Sequence, residues 1–247
     1  MMTIKNRYNT SIGLVKWSLI RYKFYIPVFI VVQILLSLSI IYGFSFVTNA
    51  VDDLSKSFLC TGAVTINIIA VTCVLAPQIV SEAKQNGIFD YQKTLPISRI
   101  GILISDLLVW GIISLPGVFV SMIIGSMNFN MNMHFGIIGS ISLLFVITSL
   151  ILFGFSIAYL LPPNMMTLVT QLIMIGGLLF SPIIYSADRL PNWMSNIYNY
   201  LPFVPVSNII RFSLFRLNDF NFMDYLIVFI WGAVSYLASM YVLARRK

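Results

Sequence analysis

The side chains that could carry out chemistry are few in this sequence and do not form a cluster. Its single histidine, His134, has no cysteine, aspartate or glutamate at the spacing of a metal site. The patterns HExxH, GxSxG and GxxxxGK[ST], which mark zinc proteases, serine hydrolases and phosphate-binding loops, do not occur in the sequence. We therefore expect no catalytic site, no metal site and no bound cofactor. If the protein uses the energy of a nucleotide, that nucleotide must be bound by another polypeptide.

Polar residues inside long apolar stretches are the other candidates for function. Asp106 is the only acidic residue there, about two helical turns from Arg99. It is either a structural charge paired with a neighbouring cation or a proton-binding site. Four uncharged polar residues lie in comparable positions: Gln33, Asn67, Gln78 and Gln171. Each either bonds between helices or lines a translocation path.

The composition defines the class of protein that must position these residues. Of 247 residues, 59% are hydrophobic and only 9% are charged, whereas a soluble domain has about 25% charged residues. This excludes a disordered chain, a collagen, a coiled coil and a soluble enzyme. We therefore interpret the net charge of +7 as an excess of basic residues on the cytoplasmic loops of a membrane protein, and not as a sign of nucleic-acid binding.

Six apolar stretches are long enough to cross a bilayer, which requires about 20 residues. They cover residues 26–48, 58–80, 100–125, 135–159, 166–185 and 225–244. With the amino terminus inside the cell, 11 of the 15 lysines and arginines fall on the cytoplasmic side. We therefore predict an all-α integral membrane protein, a single domain over residues 1–247, with six transmembrane helices and both termini cytoplasmic.

The segment before the first span, residues 1–25, has its own pattern. Apolar side chains recur at helical spacing: Ile12, Val15, Leu19 and Tyr22. Basic residues lie largely on the other faces. This pattern indicates an amphipathic helix in the cytoplasmic membrane interface, and the alternative is a cytosolic start to the first span.

The longest cytoplasmic loop, residues 81–99, contains a second amphipathic pattern. Its apolar residues are spaced as on one helix face: Ile88, Phe89, Tyr91 and Leu95. Pro96 ends the pattern. The short helix predicted here either lies flat on lipid or docks into a groove of a soluble partner.

The last external segment, residues 186–224, is apolar but interrupted by prolines. We predict two short helices in it, Asn192 to Tyr200 and Val206 to Leu217. Because neither is long enough to span a bilayer, the pattern favours re-entrant or interfacial helices. They form either a lid over an outer exit or an inert cap.

These two loops carry a resemblance to a known family. Glu82, Gly87 and the run Thr94–Arg99 resemble the cytoplasmic loop of the type-2 class of ABC exporter permeases. Four short motifs further along the chain resemble later landmarks of that family: Ser181-Pro182, Leu190-Pro191-Asn192-Trp193, Leu201-Pro202 and Arg211. The sequence departs from the family at Leu201, where Asn is usual, and at Ala83, where Arg is frequent.

The resemblance implies a machine of two six-span subunits, each seated on a separate cytoplasmic ATP-binding subunit, in a bacterial cell membrane. The second membrane subunit is another copy of this chain or a related protein, and the ATPase subunits bind ATP and Mg²⁺. The residues implied in coupling to the ATPase are Glu82, Gly87, Ile88, Phe89, Tyr91, Leu95 and Arg99. Those implied in an external gate are Pro182, Leu190, Pro191, Trp193, Pro202 and Arg211.

The function expected from this resemblance is ATP-powered export of hydrophobic or amphiphilic cargo, such as a drug, a toxin or an antimicrobial peptide. Alternating access would switch a cavity between the two membrane subunits, with Pro116-Gly117 in the third span as a hinge or a fixed bend. The alternatives are export of a lipid-linked glycan or polymer, a channel or ion-coupled carrier that does not use ATP, and a structural membrane anchor.

Overall fold

The computed structural model describes residues 4–48, 53–88, 91, 99–129, 136–186 and 190–244. Within those ranges the chain is predominantly helical and contains no strand. The helices are α1 (Ile4–Tyr22), α2 (Tyr25–Leu38, extended by Ser39–Gly43 and Phe44–Thr48), α3 (Asp53–Ile69, extended by Ala70–Leu75 and Ala76–Gln85), α4 (Arg99–Phe129), α5 (Ile137–Leu160), α6 (Pro163–Ile175, extended by Gly176–Phe180), α7 (Asn192–Tyr200), α8 (Phe203–Ile210, extended by Arg211–Phe215) and α9 (Phe222–Ala244).

Among the described residues, five helices are long and apolar enough to cross a membrane. They are Tyr25–Phe46, Asp53–Gln85, Ile100–Phe129, Ile137–Leu160 and Phe222–Leu243. An all-α, multi-pass membrane protein is thereby confirmed. The predicted span 166–185 is instead a shorter apolar helix over Pro163–Leu178. It is short because Ser181, extended at ψ 137°, precedes Pro182, and a residue before proline disfavours helix. The count of six spans and the cytoplasmic termini stay predictions.

Helix α3 is the centre of the bundle. In its most apolar 18-residue window 83% of the residues are buried, against 28% in α2 and 22% in α9. It packs against α2, α4, α5, α6 and α8. At 33 residues it is about 50 Å long, whereas the hydrocarbon core of a bilayer is about 30 Å thick. This helix is therefore longer than the hydrocarbon core is thick; it ends at the 81–99 loop, and α8 of the 186–224 segment packs against it.

Helix α1 confirms the helix predicted at the amino terminus and packs on α4. Its buried stripe is Leu14, Ser18 and Tyr22. The expected apolar residues Val15 and Leu19 are half-buried beside that stripe, and the side chain of Ile12 lies outside the described residues. The stripe is shifted because Tyr22 packs against Trp110 of α4, with ring centroids 5.1 Å apart. Interfacial placement of α1 stays a prediction.

Asp106 lies in α4 where α1 crosses it, and its side chain is almost fully buried. The Ser18 hydroxyl donates to Asp106 Oδ1 at 3.1 Å, and Arg21 Nη2 lies 3.7 Å from the same oxygen. Both partners come from α1. The structure therefore shows the paired charge that the sequence offered as one alternative, with Arg21 as the cation.

Candidate functional site

One end of the bundle, which the predicted orientation places outside and which we call the outer end, is organised around Arg211, whose side chain is only 4% exposed. The guanidinium donates to the carbonyl of Ile183 at 2.6 Å, to Thr61 Oγ1 at 3.3 Å and to Asn208 Oδ1 at 3.1 Å. It also lies 4.1 Å from the ring centroid of Phe58. Burial lowers the pKa of Arg211 to about 10, so the group remains charged at neutral pH. One cation thus joins α8, α3 and the turn after α6.

The turn after α6 approaches α3 closely at Gly62. A Cβ atom at Gly62 would lie 3.0 Å from the carbonyl oxygen of Ile183 and 3.1 Å from the Cα of Ile184. The turn therefore needs a residue without a side chain at this point of α3. The same Ile183 carbonyl accepts the hydrogen bond from Arg211, so one backbone group connects both features.

The predicted gate residues separate into two groups in the structure. Pro182, Pro202 and Arg211 are buried in the outer cluster. The remaining three are half-buried or exposed and lie at or before α7: Leu190, Pro191 and Trp193. Helix α7 has no buried residue, and Trp231 Nε1 of α9 donates to the carbonyl of Tyr200 at its end. The two predicted short helices are confirmed, with α8 beginning earlier, at Phe203, because Pro202 stands at its start.

Most of the polar residues inside the spans bond between helices. Asn67 Nδ2 donates to Ser37 Oγ at 3.0 Å and to Ser121 Oγ at 2.9 Å. Gln78 Nε2 of α3 donates to Thr170 Oγ1 of α6 at 2.7 Å. The interhelical alternative is therefore confirmed for Asn67 and Gln78, whereas Gln171 has an exposed side chain.

Gln33 bonds to α4 at the candidate hinge. Its Nε2 donates to the carbonyl of Ile113 at 3.1 Å, and the backbone N–H of Gly117 donates to its Oε1 at 2.6 Å. In an α-helix the N–H of residue 117 faces the carbonyl of residue 113. The Gln33 amide thus bonds both groups, beside Pro116. A side chain inserted there is a recognised cause of a helix bend, and the hinge role stays a prediction.

The loop that the sequence predicts to be cytoplasmic begins with a sharp reversal at Gly87. Helix α3 ends with the N–H of Asn86 bonded to the carbonyl of Glu82 at 3.0 Å. Gly87 has φ +70°, a left-handed conformation that glycine adopts at little cost. The N–H of Tyr91 then donates to the Gly87 carbonyl at 3.0 Å, and residues 88 and 91 are helical. The predicted second helix therefore starts directly after the glycine.

The coupling residues that the structure describes lie at or near the surface. Glu82 is exposed and Ile88 is half-buried, while the Tyr91 side chain is 60% exposed. Arg99 is the first residue of α4. Two further predicted residues, Phe89 and Leu95, lie outside the described residues. The coupling role of all seven stays a prediction.

A polar cavity of about 140 Å³ opens beside Glu82. Its lining comes from α3 and from the start of α6: Gln78, Ser81, Glu82, Gln85, Pro163, Met166 and Thr167. Ser81 is buried, and its hydroxyl has no hydrogen-bond partner among the described residues. The cavity thus combines one carboxylate with amides and hydroxyls, which suits a hydrogen-bonding or positively charged group.

Lys84 lies in the last turn of α3, and the sequence analysis did not identify it as a candidate. Its Nζ donates to the carbonyl of Tyr159 at 3.0 Å and to that of Leu161 at 3.3 Å. A signal for this contact exists in the sequence, since Pro162 and Pro163 cannot supply backbone N–H groups to the end of α5.

The comparison with known protein families agrees with this geometry. The model of a family described as ABC-2 type transporter matches residues 14–215. The matched part includes the Glu82–Gly87 reversal and the Arg211 cluster, and it ends before α9. No curated protein matches the chain.

Proposed function

The chain belongs to the ABC-2 type transporter family, and from this premise we propose that it is the membrane-spanning subunit of an ATP-powered exporter. It binds no nucleotide itself and pairs with a second membrane subunit, and each of the two is seated on a cytoplasmic ATPase. The cargo is hydrophobic or amphiphilic, and it leaves the cell by alternating access.

The observation that carries this proposal is the reversal at the end of α3. The central helix of the bundle extends past bilayer thickness and turns at Gly87 into a second helix, where Tyr91 is 60% exposed. The Tyr91 ring is exposed, and aromatic residues are enriched where proteins bind one another. A soluble partner seated here would displace α3 directly.

The proposed orientation places the Gly87 reversal and both termini in the cytoplasm. It rests on the distribution of lysine and arginine along the sequence. In this orientation α6 is the fifth of six spans. The π-helical turn Gly176–Phe180 lengthens it beyond its first 13 residues, to about 27 Å for residues 163–180, which is close to the thickness of the hydrocarbon core.

The outer gate consists of a fixed part and a mobile part. The fixed part is the Arg211 cluster, which anchors the turn after α6 to α3. The mobile part is α7, which buries none of its residues in the bundle. Opening would move α7 as a lid while the cluster holds its base.

The cargo path follows the exposed face of α6. Asn164, Thr167 and Gln171 are exposed there at helical spacing, among apolar neighbours. Unpaired amides and hydroxyls are unfavourable against lipid, so this face borders a water-filled cavity or the second membrane subunit. The mixture of polar and apolar groups on it suits an amphiphilic cargo.

An ion-coupled carrier is the principal alternative, and the surroundings of Asp106 argue against it. A carrier needs an ionisable group that can exchange its ion near the middle of the membrane. The Asp106 carboxylate is held by Ser18 and Arg21 of α1. This arrangement favours a structural role.

The experiment that tests the proposal is affinity purification of the tagged chain from its native cell in mild detergent. We expect a soluble protein with a GxxxxGK[ST] loop to co-purify in stoichiometric amount, and the complex to hydrolyse ATP. Glu82→Gln and Phe89→Ala should abolish hydrolysis linked to transport while the subunit still inserts. Recovery of the chain alone, as a folded oligomer, would refute the proposal.

A further inference from the structure

The contact made by Lys84 spans 75 residues of sequence and connects the ends of two helices. Lys84 lies in the last turn of α3, and its Nζ donates to the carbonyls of Tyr159 and Leu161 at 3.0 and 3.3 Å. Those carbonyls belong to the end of α5, whose last residue is Leu160. The connection from α5 to α6 follows immediately.

The sequence of α5 makes this contact necessary. The last carbonyls of a helix lack partners within the helix. In a continuing helix the carbonyls of Ala158 and Tyr159 would accept from the N–H groups of residues 162 and 163, but both are prolines and have none. Lys84 supplies a donor to Tyr159, and its positive charge is favourable at the negative end of the α5 dipole.

The position of Lys84 gives the contact a mechanical consequence. It lies two residues after Glu82 and three before Gly87, on the turn that a partner ATPase would push in the proposed function. The carbonyls it binds lie within four residues of Pro163, the first residue of α6. A displacement of the end of α3 therefore reaches the connection between α5 and α6 through this charged side chain, in addition to the packing of α3 on both helices.

We propose that Lys84 is a positioning residue that transmits movement of the cytoplasmic loop to α5 and α6. Its ammonium donates hydrogen bonds to the carbonyls of Tyr159 and Leu161 at the end of α5, a contact that we call the clasp. This inference rests on the proposed function. The clasp makes the end of α3 and the start of α6 move together when the ATPase binds ATP. Without it, only the packing of α3 on α6 and the bond from Gln78 to Thr170 carry the movement, and α6 moves less.

The test measures two distances in the purified complex with its ATPase, without and with ATP trapped by vanadate. Spin labels are placed on exposed positions as pairs of cysteines. The pair Met223→Cys and Gln85→Cys reports movement of the loop relative to the first turn of α9, which is bonded to the fixed Arg211 cluster through Asp224 and Asn208. The pair Met223→Cys and Asn164→Cys reports movement of α6 relative to the same reference. Cys60 and Cys73 are buried and stay unlabelled.

We expect ATP to shift both distances in the parent protein. Lys84→Met, which keeps the apolar stem and removes the donor, should preserve the Gln85 shift and clearly reduce the Asn164 shift. Lys84→Arg should preserve both. The matched control is Lys56→Met, which removes an exposed pair with Asp53 in the same helix and should change neither distance.

The outcomes separate the inference from the proposed function. If the Asn164 distance shifts as far in Lys84→Met as in the parent protein, the clasp transmits nothing and the inference is wrong. If the Gln85 distance does not respond to ATP in the parent protein, the proposed function itself fails. Should Lys84→Met not insert, Lys84→Leu, which also lacks a donor, gives the same test. A merely structural cap would lower stability without separating the two movements.

Discussion

Arg211 contacts α3 from α8 at Thr61, whereas Glu82 lies in α3 itself near its other end, and the charges of these two residues are satisfied in different ways. The Arg211 guanidinium is buried, and the chain itself provides three hydrogen-bond acceptors and an aromatic face. The Glu82 carboxylate is exposed at the edge of a polar cavity. Among the described residues it forms no ion pair.

This difference predicts that the contacts near one end of α3 stabilise the fold, whereas those near the other end serve function. Replacing a buried charged side chain that has several partners lowers the free energy of unfolding strongly, because the partners stay buried without a hydrogen bond. An exposed group that faces a partner costs the fold little when it is removed. Substitutions at the outer end should therefore lower stability, while those at the end predicted to be cytoplasmic should lower binding of the proposed ATPase partner.

Arg211→Met should have the largest effect on stability. It removes charged hydrogen bonds to Ile183 and Thr61, each worth about 1.5–3 kcal/mol, and we expect a loss of about 3 kcal/mol in the free energy of unfolding. Thermal unfolding in detergent measures this. The matched control is Arg216→Met, where the arginine is exposed and the change should be within about 0.5 kcal/mol. Equal effects of the two substitutions would show that the outer cluster does not stabilise the fold.

Gly62→Ala should have the next largest effect, through sterics and not charge. The new Cβ would lie 3.0 Å from the carbonyl oxygen of Ile183, and forcing extra volume into a packed site costs about 1–3 kcal/mol. Gly13→Ala is the control. Its Cβ would have no neighbour within 4 Å, and alanine stabilises a helix by about 1 kcal/mol over glycine. Opposite signs in thermal unfolding are the expected result, and a stabilised Gly62→Ala would contradict it.

Gly87→Ala tests the cytoplasmic end by backbone strain alone. A Cβ there has open space, but φ is +70°, and the left-handed conformation costs a non-glycine residue about 1–2 kcal/mol. We expect a small loss of thermal stability and a larger loss of ATPase activity in the complex, because the second helix is re-aimed. Gly87→Asn, which tolerates this conformation, should retain more activity. Equal activity of the two variants would argue against the reversal as the functional feature.

The sequence correctly predicts those elements whose signals, such as apolar length or a flanking proline, lie within the element or directly beside it. Five long helices follow from uninterrupted apolar length, and the bounds of α7 match because Pro191 and Pro202 flank it. The fifth predicted span came out shorter because apolar character continues to residue 185, while Pro182 ends the helix before it. Gly87 was identified by resemblance, and its φ of +70° supplies the physical reason.

Contacts between distant residues could not be predicted. Arg21 with Asp106, Gln33 with Gly117 and Lys84 with Tyr159 all depend on which helices are neighbours. An apolar pattern shows that a helix is buried, but it does not show which other helices surround it. Each contact nevertheless has a local trace in the sequence, such as the two prolines that leave the end of α5 without donors.

Tyr91→Ala should change stability least and thereby test the comparison most directly. The side chain is 60% exposed, so the free energy of unfolding should change by no more than about 0.5 kcal/mol. Loss of an aromatic contact at the ATPase interface should cost about 1.4 kcal/mol, or about tenfold in Kd. Titration of the ATPase onto the detergent-solubilised chain measures the latter.

The matched control for Tyr91→Ala is Leu54→Ala, which removes an apolar side chain 64% exposed at the other end of α3. It should affect neither stability nor affinity for the ATPase. If Tyr91→Ala instead unfolds the chain as Arg211→Met does, then Tyr91 is part of the core and the cytoplasmic end is not a docking surface. If affinity falls while stability holds, the exposed ring owes its position to a partner that covers it.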